Sequence, residues 1–107
     1  MRSLDALRLH VARCVVEANP EQAYLSQPPA VLLAVPVFKL ELHSDGRVKR
    51  IDLLREPGQA KDTVQLARKA IERAAPFGDL RRVPGPLVFT ETYLFDDARR
   101  FKPRSLN

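Results

Sequence analysis

Apolar positions in the first twenty residues repeat at helical spacing. Between Ser3 and Asn19 they recur at steps of three and four, so that they fall on one face of a helix. The residues that share this face are Leu4, Leu7, Val11, Cys14, Val15 and Ala18. Ser3 can accept a hydrogen bond from a free amide of the first turn, and Pro20 cannot continue a helix. The pattern predicts an amphipathic helix over residues 3–19.

The same spacing returns between Thr63 and Ala75 and predicts a second helix. Its apolar stripe consists of Val64, Ala67, Ile71 and Ala74. Asp62 followed three residues later by Gln65 has the form of a capping box, which would satisfy the free amides at the helix start. Pro76 lacks the amide that a helix requires and should end it.

The segment between the helices has the pattern of a β-hairpin. Residues Val31 to His43 read as a strand that is apolar on both faces in its first half and alternates in its second. The turn Ser44-Asp45-Gly46 favours a tight reversal, and Arg47 to Leu54 should return antiparallel. The apolar residues of this second strand do not alternate strictly, so we expect a bulge near Lys49 and Arg50.

A third strand is predicted from Leu87 to Phe95, after a loop from Gly78 to Pro86. One of its faces is apolar except for Glu91. Residues 100–104 are compatible with a short fourth strand, limited by Pro103. The element order α-β-β-α-β predicts an α+β fold, with an antiparallel sheet of three strands, or four with the short one, and both helices on one face.

Composition is that of a single globular domain spanning residues 1–107. Apolar residues make up 45% of the chain and charged residues 29%. The net charge of +5 favours acidic partners. A single cysteine, Cys14, excludes an internal disulfide, and no apolar run approaches the ~18 residues of a membrane-spanning helix. Charged residues interrupt the N-terminal segment, which does not have the pattern of a signal peptide.

Candidate catalytic groups do not form a recognisable set. His43 and Asp45 flank the hairpin turn without a nucleophile at a suitable spacing. The serines Ser26, Ser44 and Ser105 lack the Gly-x-Ser-x-Gly context, and neither a phosphate loop nor a paired metal-ligand spacing is present. We therefore expect no catalysis, no cofactor and no metal site.

Four segments occur in an order and at spacings typical of a known family. They are Asn19-Pro20-Glu21-Gln22-Ala23, Gly46 to Leu53, the stretch from Gly58 to Ala74-Ala75-Pro76-Phe77, and Pro86-Leu87-Val88-Phe89. In these segments the chain resembles the C-terminal domain of TonB-type energy transducers, from about Leu4 to Phe95.

The resemblance implies a non-catalytic function in the periplasm. Such domains are tethered to an inner-membrane motor complex and grip a short segment of an outer-membrane transporter, which they add as a strand to an exposed sheet edge. The membrane anchor and proline-rich spacer of a complete transducer are not among these residues. We expect either an excised domain or a protein that has lost that role.

The predicted partner-binding residues lie on the third strand. They are Leu87, Val88, Phe89, Thr90, Glu91, Thr92 and Tyr93. This stretch is rich in β-branched and aromatic residues and contains no proline, so an exposed edge here would be adhesive. A strand formed by the tail, residues 96–107, would cover that edge. The alternative is that these residues form a fully paired core strand.

Two other functions fit parts of the sequence. A basic nucleic-acid-binding module is suggested by Arg47, Lys49, Arg50 and the cluster from Arg99 to Arg104. Sheets that bind nucleic acid present aromatic side chains for stacking, whereas the phenylalanines here are better used as core, so nucleic acid is the less favoured partner. Self-association to a homodimer through the last strand, or through the apolar start of the first, is the other hypothesis.

Overall fold

In the computed structural model, which describes residues 2–107, the chain folds as α+β. The elements are α1 (Leu4–Ala18), β1 (Val37–Leu42), β2 (Val48–Arg55), α2 (Asp62–Ala74), β3 (Val88–Phe95), β4 (Phe101–Pro103) and a 3-10 helix, η1 (Arg104–Leu106). The predicted order of helices and strands is confirmed, and the short fourth strand forms.

The four strands make one antiparallel sheet in the spatial order β2-β1-β3-β4. Side chains from one face of this sheet join the apolar stripes of α1 and α2 in a single buried cluster. Ser3 caps α1 as predicted, since its side chain accepts a hydrogen bond from the amide of Ala6 at 3.1 Å. The opposite face of the sheet carries the polar residues of the alternating pattern.

Aromatic rings connect three strands within the core. The Tyr93 ring on β3 lies edge-on to Phe38 of β1 and to Phe101 of β4, at centroid distances of 5.9 and 5.5 Å. Phe95 and Phe101 are 5.7 Å apart. Edge-to-face pairs of this kind add to the free energy gained by burial. They fasten the short strand β4 to the sheet, although only three of its residues pair with β3.

The predicted first strand is shorter than expected, because the apolar segment before Pro36 does not form a regular strand. This segment nevertheless extends the ladder with β3: Leu33 donates to the carbonyl of Phe95 at 2.9 Å, and Phe95 donates to that of Ala34 at 2.9 Å. Only β3 pairs with it, since β2 ends before reaching it. A segment that is apolar on both faces should be covered on both sides or lie in an interface. Val31 is 80% exposed in the single chain, so the chain itself does not cover the segment there.

The predicted bulge is confirmed. Glu41 pairs with Arg50 and Leu42 pairs with Val48, so Lys49 is the extra residue in β2. A second irregularity, which the sequence did not indicate, lies near the end of β2 and leaves Leu54 without a partner on β1.

The capping box predicted for α2 does not form. The cap position belongs to Lys61, whose side chain makes no capping bond, and Asp62 is already in the first turn. The Asp62 carboxylate instead accepts a hydrogen bond from Nε of Arg99 at 2.7 Å. Asp62 thus pairs with the distant Arg99 instead of with a free amide of its own helix.

The hairpin turn packs against the exit of α2. Gly46 adopts a φ of +89°, and its carbonyl accepts a hydrogen bond from the amide of Phe77 at 2.9 Å. The amide of Leu80 donates to the carbonyl of Ser44 at 2.8 Å. A Cβ atom at Gly46 would overlap the backbone carbonyl and amide of Gly78. Glycine is therefore required here for two reasons, its dihedral angle and the close approach of a second backbone.

We expect Gly46→Ala to lower the free energy of unfolding by about 2–4 kcal/mol, because alanine is strained at this φ and its methyl group meets backbone atoms that cannot rotate away. Urea denaturation followed by circular dichroism measures the change. Gly58→Ala is the matched control, since nothing lies within 4 Å of a Cβ there, and its effect should stay within about 1 kcal/mol. Equal effects of the two substitutions would contradict this account.

Candidate functional site

Alternate residues of β3 direct their backbone groups to opposite sides. The odd-numbered residues face β1: the carbonyl of Leu87 accepts from the amide of Leu42 at 2.9 Å, and the amide of Tyr93 donates to the carbonyl of Pro36 at 3.1 Å. Because the direction alternates along an antiparallel strand, the even-numbered residues Val88, Thr90 and Thr92 point their amides and carbonyls to the outer edge.

The C-terminal residues cover one end of that outer edge and leave the other end open. β4 pairs with Tyr93, Leu94 and Phe95. After Pro103 the chain turns into η1 instead of continuing along β3. Within residues 2–107, no strand pairs with the outer edge from Val88 to Thr92.

The seven residues predicted to bind a partner fall into two groups. Val88, Thr90 and Thr92 have side chains on the outer face and backbone groups on the open edge, and Thr90 is exposed. Leu87, Phe89, Glu91 and Tyr93 place their side chains on the helix-covered face, where the last three are buried. Tyr93 lies beyond the open stretch, since it pairs with Pro103.

The opposite edge of the sheet, formed by β2, is partly protected. Arg68 of α2 reaches over it and donates from a guanidinium nitrogen to the carbonyl of Ile51 at 2.7 Å, while its guanidinium lies 5.6 Å from the centroid of the Phe38 ring. The exposed, charged Lys49 and Arg50 also lie on this strand. Charged residues on an edge and a side chain bonded to it both discourage strand addition. The two edges of the sheet therefore differ in accessibility.

A polar groove runs beside the open edge. It has a volume of about 250 Å³ and is lined by Arg8, Thr90, Glu91, Thr92, Arg104 and Ser105. The Oε2 atom of Glu91 accepts hydrogen bonds from the amide of Thr92 at 3.1 Å and, at a long 3.4 Å, from the amide of Ser105. The groove thus combines residues from α1, β3 and η1.

The Glu91 carboxyl lines this polar groove but is itself buried. Its residue is only 5% exposed, and burial raises the pKa of its carboxyl, although hydrogen bonds from Ser105 and Thr92 and the positive charge of Arg8 act in the opposite direction. Its Oε1 atom is buried without a hydrogen-bond partner among the described residues, as are Nε of Arg8 and the hydroxyl of Tyr93. Burial, with the charge of Glu91, also raises the pKa of Tyr93. We refer to Glu91, Arg8 and Tyr93 as the Glu91 cluster.

Cys14 and His10 do not form an activated pair. The Sγ atom lies 3.6 Å from Nε2 of His10, but that nitrogen is 2.9 Å from the carbonyl oxygen of Phe77 and must carry a proton to donate to it. Burial raises the pKa of the Cys14 thiol, and the charge of Glu17 raises it further. A nucleophilic thiolate is therefore disfavoured.

The hairpin-turn candidate Asp45 is held in an ion pair. Asp45 bonds Nε of Arg47 at 2.7 Å, and hydrogen bonds from Arg47 lower the pKa of its carboxyl. In residues 2–107 no cluster of three or more potential metal-ligating side chains is found. No helix in this part of the chain is both long enough and apolar enough to cross a membrane.

The described surface presents no exposed aromatic ring on which nucleic-acid bases could stack. The five phenylalanines and two tyrosines are all buried. The open face of the sheet carries Val37, Lys39, Glu41, Thr90 and Thr92 instead. Proteins that bind single strands on a sheet depend on exposed aromatic rings, which this sheet does not present among the described residues.

No protein-family model matches the chain, and no curated protein or solved structure is significantly similar to it. The resemblance to TonB-type domains therefore depends on the sequence motifs. Two of these motifs, around Gly46 and Phe77, are in direct contact through the hydrogen bond described above. Membership of that family remains a prediction.

The burial of Glu91 predicts a pH dependence. The folded protein holds the Glu91 proton more tightly than the unfolded chain, in which the carboxyl has its ordinary pKa of about 4.5. Stability is therefore lost as the pH rises from that value through the raised pKa of the folded state. Glu91→Gln removes this loss, so the free energy of unfolding of the variant should increase relative to the wild type between about pH 4 and about pH 7. Urea denaturation at several pH values measures the difference.

Asp79→Asn is the control for this experiment. Arg81 lowers the pKa of the exposed Asp79 carboxyl from 3.8 to about 2, so any stability that this carboxylate contributes is lost only as the pH falls through that range. Its difference from the wild type should stay constant between about pH 4 and about pH 7. A constant difference for Glu91→Gln as well would show that the Glu91 carboxyl is not significantly desolvated.

Proposed function

We propose that this chain is a peptide-binding domain that adds an extended segment of another protein as a strand beside Val88–Thr92. The observation that carries the proposal is the unpaired outer edge of β3, in a sheet whose opposite edge is bonded by Arg68. An open edge of this kind binds extended peptides through main-chain hydrogen bonds, and alternate side chains of the guest provide selectivity. The guest would continue the row of hydrogen bonds that β4 begins.

The open edge offers a small number of hydrogen-bonding groups. Val88 and Thr90 each present an amide and a carbonyl. Thr92 presents neither, because its amide bonds the Glu91 carboxylate and its carbonyl faces the amide of Arg104 in the ladder that ends at the Tyr93–Pro103 pair. At about 1 kcal/mol net for each of roughly four hydrogen bonds, the backbone contribution is about 4 kcal/mol, which corresponds to a dissociation constant on the order of 1 mM. Binding should be weak and rapidly reversible.

The resemblance to TonB-type domains suggests where the guest comes from. In that role the guest is a segment of an outer-membrane transporter, the domain works in the periplasm, and a part of the protein outside these residues connects it to an inner-membrane motor complex. The sheet suits a mechanical task, because a pull on the guest passes through β3 to the central strand β1. A pull along the strand direction loads the hydrogen bonds of the guest together. Transmission of force requires no catalytic group.

Nuclear magnetic resonance titration tests the proposal. The ¹⁵N-labelled chain is titrated to millimolar concentration with an extended peptide from the plug segment of an outer-membrane transporter. We expect the amide signals of Val88 and Thr90 to shift most, because those amides become hydrogen-bonded to the guest. Shifts confined to β2, or no shifts at all, would overturn the proposal.

A matched pair of variants isolates the backbone contribution. Thr90→Pro removes an outward amide without breaking a bond to β1, so it should weaken peptide binding by about tenfold or more. Thr90→Val keeps the amide and should bind like the wild type. Thermal unfolding of both variants shows that they remain folded. Repeating the titration at two protein concentrations separates guest binding from pairing between copies of this chain.

A further inference from the structure

The Glu91 cluster presents an unmatched acceptor and an unmatched donor beside the open edge. Oε1 of Glu91 and Nε of Arg8 are both buried and make no hydrogen bond within the described residues. Buried polar groups are normally paired, and each unpaired one calls for an explanation. Both residues line the groove at the edge where the guest strand would lie. A guest side chain that carries both a donor and an acceptor would satisfy them.

The parity of β3 places Glu91 directly opposite the guest. Glu91 directs its backbone groups to β1, where it pairs with Phe38, so it occupies a non-hydrogen-bonded position with respect to the outer edge. All strand pairs in this sheet are antiparallel. In a non-hydrogen-bonded antiparallel pair the Cα atoms are only about 4.5 Å apart and both side chains lie on the same face. The guest residue opposite Glu91 would therefore point into the groove.

In the unbound chain the 3-10 helix η1 occupies part of this groove. It packs between α1 and β3, and the amide of Ser105 lies 3.4 Å from Oε2 of Glu91. That distance is longer than the usual 2.7–3.2 Å of a good N–H···O bond. The Ser105 amide is thus a weak donor to the Glu91 carboxylate, and a guest that supplies a stronger donor competes with η1 for that carboxylate.

We propose that the guest segment carries an asparagine or glutamine side chain opposite Glu91, whose amide group donates to the Glu91 carboxylate and accepts from Nε of Arg8 once η1 has moved aside. This inference rests on the proposed strand addition. A carboxamide fits because it holds a donor and an acceptor side by side in one plane. A guest cation would meet Arg8 and the exposed Arg104, and a guest carboxylate would meet Glu91. Burial of either charge is also costly.

Four peptides of identical sequence except at the position opposite Glu91 test this assignment. They carry Gln, Ala, Lys or Glu at that position, and nuclear magnetic resonance titration of the full chain measures each dissociation constant. The Gln peptide should bind about tenfold more tightly than the Ala peptide, because its carboxamide gains charge-assisted hydrogen bonds to Glu91 and Arg8, offset in part by the displacement of η1. The Lys and Glu peptides should bind no better than the Ala peptide. A ranking headed by Lys or Glu would overturn the assignment.

Substitutions then connect the preference to Glu91. Glu91→Met introduces an apolar side chain of similar length and removes the acceptor. The advantage of the Gln peptide should therefore fall below about twofold. Glu41→Met changes the charge equally on the open face, outside the groove, and should leave the preference intact. Equal binding of all four peptides to the wild type would overturn this inference while leaving strand addition standing. Absence of binding by every peptide would overturn both.

Discussion

The hydrogen-bond parity of β3 with β1 is the constraint on which the remaining features depend. Odd-numbered residues of β3 bond to β1 and its extension, as the contacts of Leu87, Tyr93 and Phe95 show. This choice sends Phe89, Glu91 and Tyr93 under the helices and turns the backbone groups of the even-numbered residues outward. The pairing of odd-numbered β3 residues with β1 therefore determines three features: the aromatic core, the buried Glu91 and the open edge. A shift by one residue would exchange the two faces and bury threonines in place of the rings.

Two polar contacts hold the layers around this sheet in place. Gly46 fixes the hairpin against Phe77 and Gly78 at the exit of α2. Asn19, at the end of α1, is 3% exposed and donates from Nδ2 to the carbonyls of Val15 at 2.8 Å and Ala70 at 3.0 Å. Its Oδ1 atom accepts from Arg73. Because a buried amide is costly when unpaired, these bonds select one arrangement of the two helices.

Local patterns predicted the elements, whereas distant partners decided the details. The helices, the hairpin and the bulge at Lys49 follow from periodicity and turn chemistry, which act within a few residues. The capping box does not form because α2 begins at Asp62 itself, and the amides of Thr63 and Val64 donate to the carbonyls of Ala60 and Lys61. The Asp62 carboxylate is left to engage Arg99, which is 37 residues away. An apolar run without alternation indicates no pairing register, so the predicted start of the first strand at Val31 differs from the observed start of β1 at Val37. The sequence signal for the Glu91 cluster is a single acid on an apolar strand face, and its charged member Arg8 comes from the other end of the chain.

The buried acid also bears on pairing between copies of this chain, for which the open edge would otherwise be suitable. Antiparallel pairing of two β3 edges must keep even-numbered residues opposite even-numbered ones, because only these direct hydrogen bonds outward. The neighbouring registers then place Glu91 opposite Phe89, Leu87 or a second Glu91. None of these residues offers a side-chain donor to the carboxylate, and the last brings two negative charges together. The proposed preference for a guest with a polar, neutral side chain and the weak self-association expected from these registers have the same geometric origin, so we expect the edge to remain available for a different chain.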